Sequence, residues 1–237
     1  MNLTGTSIFD PVLCEIIYNW FCTQQGIVFD PFAGGSVRGV VAELLGRKYI
    51  GIDLSEKQID ANQLNADKFG VCPAWFCDDS KNADKYIPDD SADLVFSCPP
   101  YHNLEKYSNH PLDLSNMNYE DFIQAYSEII NISCRKLKQN RFAVFVVGDI
   151  RNNKGAYRDF ISHTKSIFQA SGLCLYNEII LLEQYATAAM RAGKIFQARR
   201  KTTKVHQNVL VFYKGDIKEI DSTFENNFKW ADLSKFQ

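Results

Sequence analysis

Ile27-Val28-Phe29-Asp30-Pro31-Phe32-Ala33-Gly34-Gly35-Ser36 is the stretch whose reading decides the fold. Its first four residues read as a short buried strand, and the paired glycines let the chain turn sharply. Val37 to Leu45 then reads as a helix that stops near Gly46. Strand, glycine turn and helix in that order open a parallel βα unit. The same alternation continues outward. Tyr49 to Ile52 reads as a second strand, and Ser55 caps a helix running to about Lys68. Ala74 to Cys77 and Asp93 to Ser97 read as the third and fourth strands. A long helix over Tyr119 to Leu137 carries Phe122, Ile123, Tyr126, Ile129 and Ile130 at apolar spacing. Phe142 to Val147 is a fifth, fully apolar strand, and 159–170 is a further helix. Leu173 to Leu182 and Val205 to Tyr213 close the chain as two strands joined by a loop over 183–204, an antiparallel pair at the edge of a parallel sheet. Two α/β halves laid side by side create a crevice at the carboxyl ends of the first and fourth strands, where open α/β sheets bind ligands. The two most unusual stretches, 30–36 and 97–101, fall at those two ends.

The 237 residues are 46% hydrophobic and 23% charged, which suits one α/β domain over 1–237 with a core of its own. Seven scattered cysteines with no CxxC pair argue for reduced thiols in the cytoplasm, against a disulfide framework and against a metal site. The first ten residues lack a basic n-region and an apolar h-region, and no apolar run approaches the ~18 residues needed to span a bilayer. No membrane partner is expected. The net charge of −2 means that any nucleic-acid surface must be a local basic patch.

Three acids follow successive strands. Asp53 ends the second strand in Gly51-Ile52-Asp53-Leu54, where a carboxylate can accept both hydroxyls of a ribose. Asp78 and Asp79 follow the third and can reach the amino edge of an adenine. Acids lining one cleft repel a pyrophosphate and suit a nucleoside carrying a positive sulfonium, so S-adenosylmethionine is favoured over a dinucleotide. A plain tight turn, with Asp78 as a helix cap, is the competing reading; neither a GxGxxG nor a P-loop is present.

Ser97-Cys98-Pro99-Pro100-Tyr101 closes the fourth strand. Two prolines fix the backbone, remove two N–H groups and leave carbonyls free to accept hydrogen bonds in the cleft. Tyr101 adds a flat ring beside them. An exocyclic base amine is a poor nucleophile because its lone pair is delocalised into the ring. Acceptors on its two N–H groups turn that lone pair toward a methyl donor, while the swung-out base stacks on the aromatic ring. Positioning can carry most of such a reaction without a metal.

These two stretches resemble the motifs of amino-methylating DNA methyltransferases: 30–36 their D-x-F-x-G-x-G cofactor loop, 98–101 their [D/N/S]-P-P-[Y/F/W] tetrapeptide. The order, cofactor motif first, is similar to the gamma arrangement and to small phage or prophage modification methylases. The resemblance implies a Rossmann-like S-adenosylmethionine-dependent fold, a mostly parallel seven-stranded sheet with an antiparallel edge hairpin. It implies a cofactor site of Phe9, Asp30, Phe32, Ala33, Gly34, Gly35, Ser36, Asp53, Leu54, Asp78 and Asp79. It assigns catalysis to Ser97, Cys98, Pro99, Pro100 and Tyr101, on adenine N6 or cytosine N4 in double-stranded DNA, as in restriction–modification. Two positions depart from the pattern. Ser36 replaces the last glycine. Cys98 replaces an oxygen acceptor with a weak one, a loss of about 1–3 kcal/mol if that acceptor is required. Ser97 or the Pro99 carbonyl is then expected to carry more of the load. A nucleophilic Cys98 would need a differently spaced Pro-Cys motif.

Arg191, Lys194, Arg199, Arg200, Lys201 and Lys204 fall in an acid-free run and form the expected phosphate-contacting arm on the 183–204 loop. The loop 102–118 is expected to fold over the base. Arg135, Lys136, Lys138 and Arg141 end a helix and read as structural, as do His163 and His206. His102 and His110 are expected to contact loop or substrate, since the amine needs no base before attack. With no separate recognition domain, specificity falls to loops or to a homodimer partner. Methylation of RNA or of a protein glutamine, and an inactive cofactor-binding relic, are the competing functions.

Overall fold

The computed structural model describes residues 9–101, 112–182, 188–224, 228 and 230–234. The first helix, α1 (Pro11–Phe21), starts where Asp10 accepts hydrogen bonds from the Val12 and Leu13 amides and Pro11 fills the first turn. Then follow β1 (Ile27–Asp30), α2 (Val37–Leu44), β2 (Lys48–Asp53), α3 (Glu56–Phe69), β3 (Ala74–Cys77) and β4 (Ala92–Ser97). Ser55 caps α3, and Gly70, in the left-handed region, ends it. The second half comprises α4 (Tyr119–Lys136), β5 (Leu137–Val147), α5 (Phe160–Ala170), β6 (Cys174–Leu182), α6 (Ala188–Arg199) and β7 (His206–Lys214).

The seven strands form one sheet in the order β3-β2-β1-β4-β5-β7-β6. β7 is inserted between β5 and β6 and pairs antiparallel with both. The order reverses between β1 and β4, which pair in parallel through Val28↔Leu94 and Phe29↔Val95. The switch point expected between the first and fourth strands is therefore present.

Each sheet face carries its own core. On one, Ile17 and Tyr18 of α1 and Val41 of α2 pack on Val28, Phe96 and Val144. On the other, Phe122, Tyr126 and Ile130 of α4 and Phe160 and Phe168 of α5 pack on Phe145 and Phe212. Phe168 and Phe212 stack at 4.1 Å.

Two boundaries differ from the sequence reading. β5 begins at Leu137, not Phe142. Its polar start, Lys138 to Arg141, hid the strand; Lys138 and Arg141 hold the carboxylate of Asp93 on the neighbouring strand at 2.9 and 3.0 Å. The second correction concerns 183–204, which is not a loop throughout, since 188–199 is helical. The stretch is rich in alanine, a strong helix former. Residues 183–187 and 102–111 lie outside the described residues, His102 and His110 among them. Of the second expected loop, 112–118 holds a single 3-10 turn at Leu114–Asn116.

Arg135 and Lys136 bridge to Asp84 and Asp89, so the basic group at the end of α4 has acid partners. His163 shares a hydrogen bond with the Tyr119 hydroxyl at 2.9 Å. All seven cysteines are free thiols. Among the described residues no helix is long and apolar enough to cross a membrane, and no cluster could hold a metal ion.

Candidate active site

β1, β2 and β4 end at one edge of the sheet, and Asp30, the last residue of β1, is tied to Ser97 at the end of β4 and to Tyr49 of β2. This carboxylate is fully buried. Oδ1 accepts from the Phe32 amide at 3.1 Å and from the Ser97 hydroxyl; Oδ2 accepts from Arg38 Nε at 2.6 Å and the Tyr49 hydroxyl at 2.7 Å. A carboxylate has about four lone-pair sites. All are used, so Asp30 fastens the loop from beneath and has none to offer a ligand. Ser97 is fully buried and donates its hydroxyl proton to the same group.

Arg38, from the first turn of α2, is the second half of this anchor. Its Nη2 donates to the carbonyls of Phe32 and Ala33 at 2.7 and 2.9 Å, and its guanidinium lies 4.7 Å from the centre of the Phe9 ring. Burial opposes its charge, but the adjacent Asp30 outweighs burial and holds the proton more firmly than usual. The sequence reading passed over Arg38. The available signal was a lone cation among Val37, Gly39, Val40 and Val41 on a helix facing the sheet.

Above this anchor the glycine turn is shaped to take a ligand. Gly34 has φ +50°, a conformation that favours glycine. Its N–H donates to Asp53 Oδ2 at 2.9 Å and its carbonyl accepts from Asn62 at 2.7 Å. The Ser36 hydroxyl accepts from Asn65 at 3.3 Å. Gly35 is exposed, with open space where a Cβ would stand. Phe32 turns the other way, its ring 6.0 Å from that of Tyr126 in the core.

β2 approaches the turn so closely that a Cβ on Gly51 would lie 2.6 Å from the Tyr49 ring and 2.9 Å from the Ala33 Cβ. Tyr49 cannot yield, because Asp30 holds its hydroxyl. Gly51→Ala is therefore expected to cost about 1–3 kcal/mol in urea unfolding through overpacking, whereas Gly35→Ala leaves the unfolding midpoint unchanged. Equal midpoints for the two variants would contradict this packing.

The residues present fit an adenosyl sulfonium. Asp53 is half-buried; burial raises its pKa, and the Ser55 and Gly34 amides oppose that rise. Each of its oxygens accepts one amide and keeps a second lone pair for a ribose hydroxyl. Leu54 beside it is half-buried. Asp78 is placed differently from the expectation. Lys85, Asn82, Tyr86 and the Asp79 amide take all its lone pairs and hold it well below the usual carboxylate range. Asp79 spends one oxygen on the Lys81 amide, and its Oδ2 carries no hydrogen bond among the described residues. Phe76 and Tyr86, stacked at 4.2 Å beside these acids, supply an aromatic wall that the sequence reading did not include.

The tetrapeptide leaves β4 on the neighbouring strand end. Pro99 is buried, and Cys98, Pro100 and Tyr101 are partly exposed. Burial pushes the Cys98 thiol up, with Arg38 pulling the other way. That shift works against a thiolate nucleophile at Cys98. The Tyr101 hydroxyl donates to Gln207 Oε1 of β7 at 3.0 Å, fixing the ring against the end of β5.

The basic residues gather on and after α6. Lys194, Arg199 and Arg200 are exposed, and Met190, Ile195 and Phe196 on the same helix are exposed as well. Arg191 lies on α6, but its side chain is outside the described ones. Lys201 is half-buried, its ammonium beside the backbone of Gly155. Lys204 is tied to Asp149 at 3.3 Å, so its charge is already in use.

Comparison with known proteins agrees with this layout. Residues 12–64, which span α1, the glycine turn, β2 and part of α3, match the family model of N6/N4 amino methylases, described as DNA methylase. The chain is similar to the Type II methyltransferase M.BglII of Bacillus subtilis, 31% identical over 116 residues. That match covers 49% of this chain, which spans only 30% of the relative's length. Among solved structures, TrmN from Thermus thermophilus superposes with a TM-score of 0.59 at 14% identity, covering 90% of this chain and 51% of that one. An rRNA methylase from Streptococcus thermophilus gives 0.56 at 11%, covering 89% and 100%. The structural likeness establishes a Rossmann-like methyltransferase fold. The sequence likeness is to amino-methylating DNA methyltransferases, whose cofactor is S-adenosylmethionine.

Proposed function

We propose that this chain transfers a methyl group from S-adenosylmethionine to the exocyclic amino nitrogen of adenine or cytosine in double-stranded DNA. The observation that carries the reading is the shared anchor of the two motifs. Asp30 binds the glycine turn through the Phe32 amide and Arg38, and binds the start of the tetrapeptide through Ser97. A donor held on Gly34 and Asp53 and a base held on Tyr101 then lie on adjacent strand ends of one rigid frame.

When bound, S-adenosylmethionine supplies an electrophilic methyl on a positive sulfur. The protein's work is placement. Asp53 and the Gly34 turn hold the nucleoside end, and Asp79 takes its amine. Pro99 and Pro100 present carbonyls to the target N–H groups, and Tyr101, braced by Gln207, stacks the flipped base. Oriented reactants of this kind account for much of a methyl-transfer rate. Exposed Lys194, Arg199 and Arg200 meet the phosphates.

The test is transfer of tritium from labelled cofactor to unmethylated duplex DNA, RNA and a protein extract. Counts should enter DNA and resolve, after nucleoside digestion, as methylated adenine or cytosine. Counts in RNA or protein alone would refute the DNA assignment, and no cofactor binding would refute the reading entirely.

A further inference from the structure

The chain that leaves β5 carries a carboxylate to which the mechanism above gives no task. β4 and β5 pair in parallel through Ser97↔Phe145. Gly148-Asp149 therefore emerges beside the tetrapeptide, and a Cβ on Gly148 would lie 3.6 Å from the Tyr101 hydroxyl. Asp149 Oδ2 receives Lys204 at 3.3 Å. Asp149 Oδ1 is buried and has no hydrogen-bond partner among the described residues. A buried carboxylate oxygen without a donor is costly, and native proteins rarely leave one without a purpose.

A second orphan is Arg158 Nε, also buried and without a hydrogen-bond partner among the described residues. The Arg158 amide donates to the carbonyl of Ile150, the residue after Asp149, at 2.9 Å, and its guanidinium lies 4.3 Å from the Tyr119 ring centre. The Tyr119 phenol, pushed up to about 12 mainly by burial, feels both charges. The two charges that act on Tyr119 thus include an acceptor without a donor and a donor without an acceptor among the described residues. The amino edge of adenine or cytosine, an N–H next to a ring nitrogen, offers the complementary pair. A lone apolar or anionic ligand does not.

Resting on the amino-methyltransferase reading, we propose that Asp149 supplies the oxygen acceptor for the target amine that Cys98 does not provide. Asp149 Oδ1 accepts one N–H of the flipped base and turns the nitrogen lone pair toward the donor. The N–C bond forms as the C–S bond breaks, its electron pair stays on sulfur, and the surplus N–H proton passes to Asp149 and from there to water. Arg158 Nε donates to the adjacent ring nitrogen.

The test compares single-turnover methyl transfer to unmethylated duplex DNA by the full chain and by Asp149→Ala, Asp149→Asn, Cys98→Asn and the Cys98→Asn/Asp149→Ala double variant. Cofactor affinity and thermal unfolding are read alongside. Asp149→Ala should lose at least ~10²-fold in rate with cofactor affinity unchanged, and Asp149→Asn, which keeps one acceptor, should lose less. In the Cys98→Asn background, where the new amide supplies an oxygen, the cost of Asp149→Ala should shrink to a few-fold, a coupling that a merely structural aspartate would not show. A wild-type rate in Asp149→Ala, or an equal loss in both Cys98 backgrounds, would overturn the assignment while leaving methyl transfer intact. An inactive parent chain would instead overturn the function on which it rests.

Discussion

Asp30→Ala should unfold at markedly lower urea concentration than the parent chain, by about 3–5 kcal/mol. The reason lies in what remains. Arg38 is only 4% exposed, and without Asp30 its guanidinium keeps the carbonyls of Phe32 and Ala33 but no counter-charge. The Tyr49 and Ser97 hydroxyls lose their acceptor in the same buried place. Against a typical domain stability of roughly 5–15 kcal/mol, this is a large fraction. Replacing both ends of the pair, as in Asp30→Asn with Arg38→Met, should recover part of the loss, because no unpaired charge is left buried. A single Asp30→Ala variant within ~0.5 kcal/mol of the parent would contradict the anchor, and with it the claim that the two motifs share one support.

Tyr101→Ala should lower the rate of methyl transfer by about 10²-fold while cofactor affinity stays unchanged. Stacking of a base on an aromatic ring is worth about 1–3 kcal/mol, and the ring also sets the angle at which the amine meets the donor. Tyr101→Phe retains the ring and loses only the hydroxyl bond to Gln207, so its loss should stay below about 10-fold. The two variants separate stacking from bracing. Equal losses would mean that the hydroxyl matters and the ring does not. An Ala variant at full rate would place the substrate elsewhere.

The features legible in the sequence were those that depend on local pattern. The glycine turn, the Pro-Pro end of β4 and the alternation of apolar runs with helices point to a parallel sheet with β1 and β4 side by side and an antiparallel edge pair. The features that were not legible depend on what meets across the fold. The polar residues that open β5 look like loop until Asp93 stands opposite them. Asp30 and Asp78 look like free acids until their partners arrive from other elements and fill every lone pair. The basic stretch after β6 was read as loop because its glycine and small alanines suggested mobility, though alanines are strong helix formers and 188–199 is a helix. Asp149 carries no motif at all. Only its unpaired oxygen, visible once β4 and β5 lie side by side, marks it out.

The insertion of β7 between β5 and β6 bears on the order in which the molecule is made. Synthesis runs from the amino end, so β1 to β3 and the glycine turn leave the ribosome first and are already neighbours. The nascent chain must then extend to Lys214 before β7 can pair with β5 and bring Gln207 to Tyr101. Until that moment the apolar run Phe142–Val147 presents a bare backbone edge, open to other chains. A prematurely terminated product would thus retain the β1–β3 side with its glycine turn and leave Tyr101 without its Gln207 brace, with a sticky flank beside it.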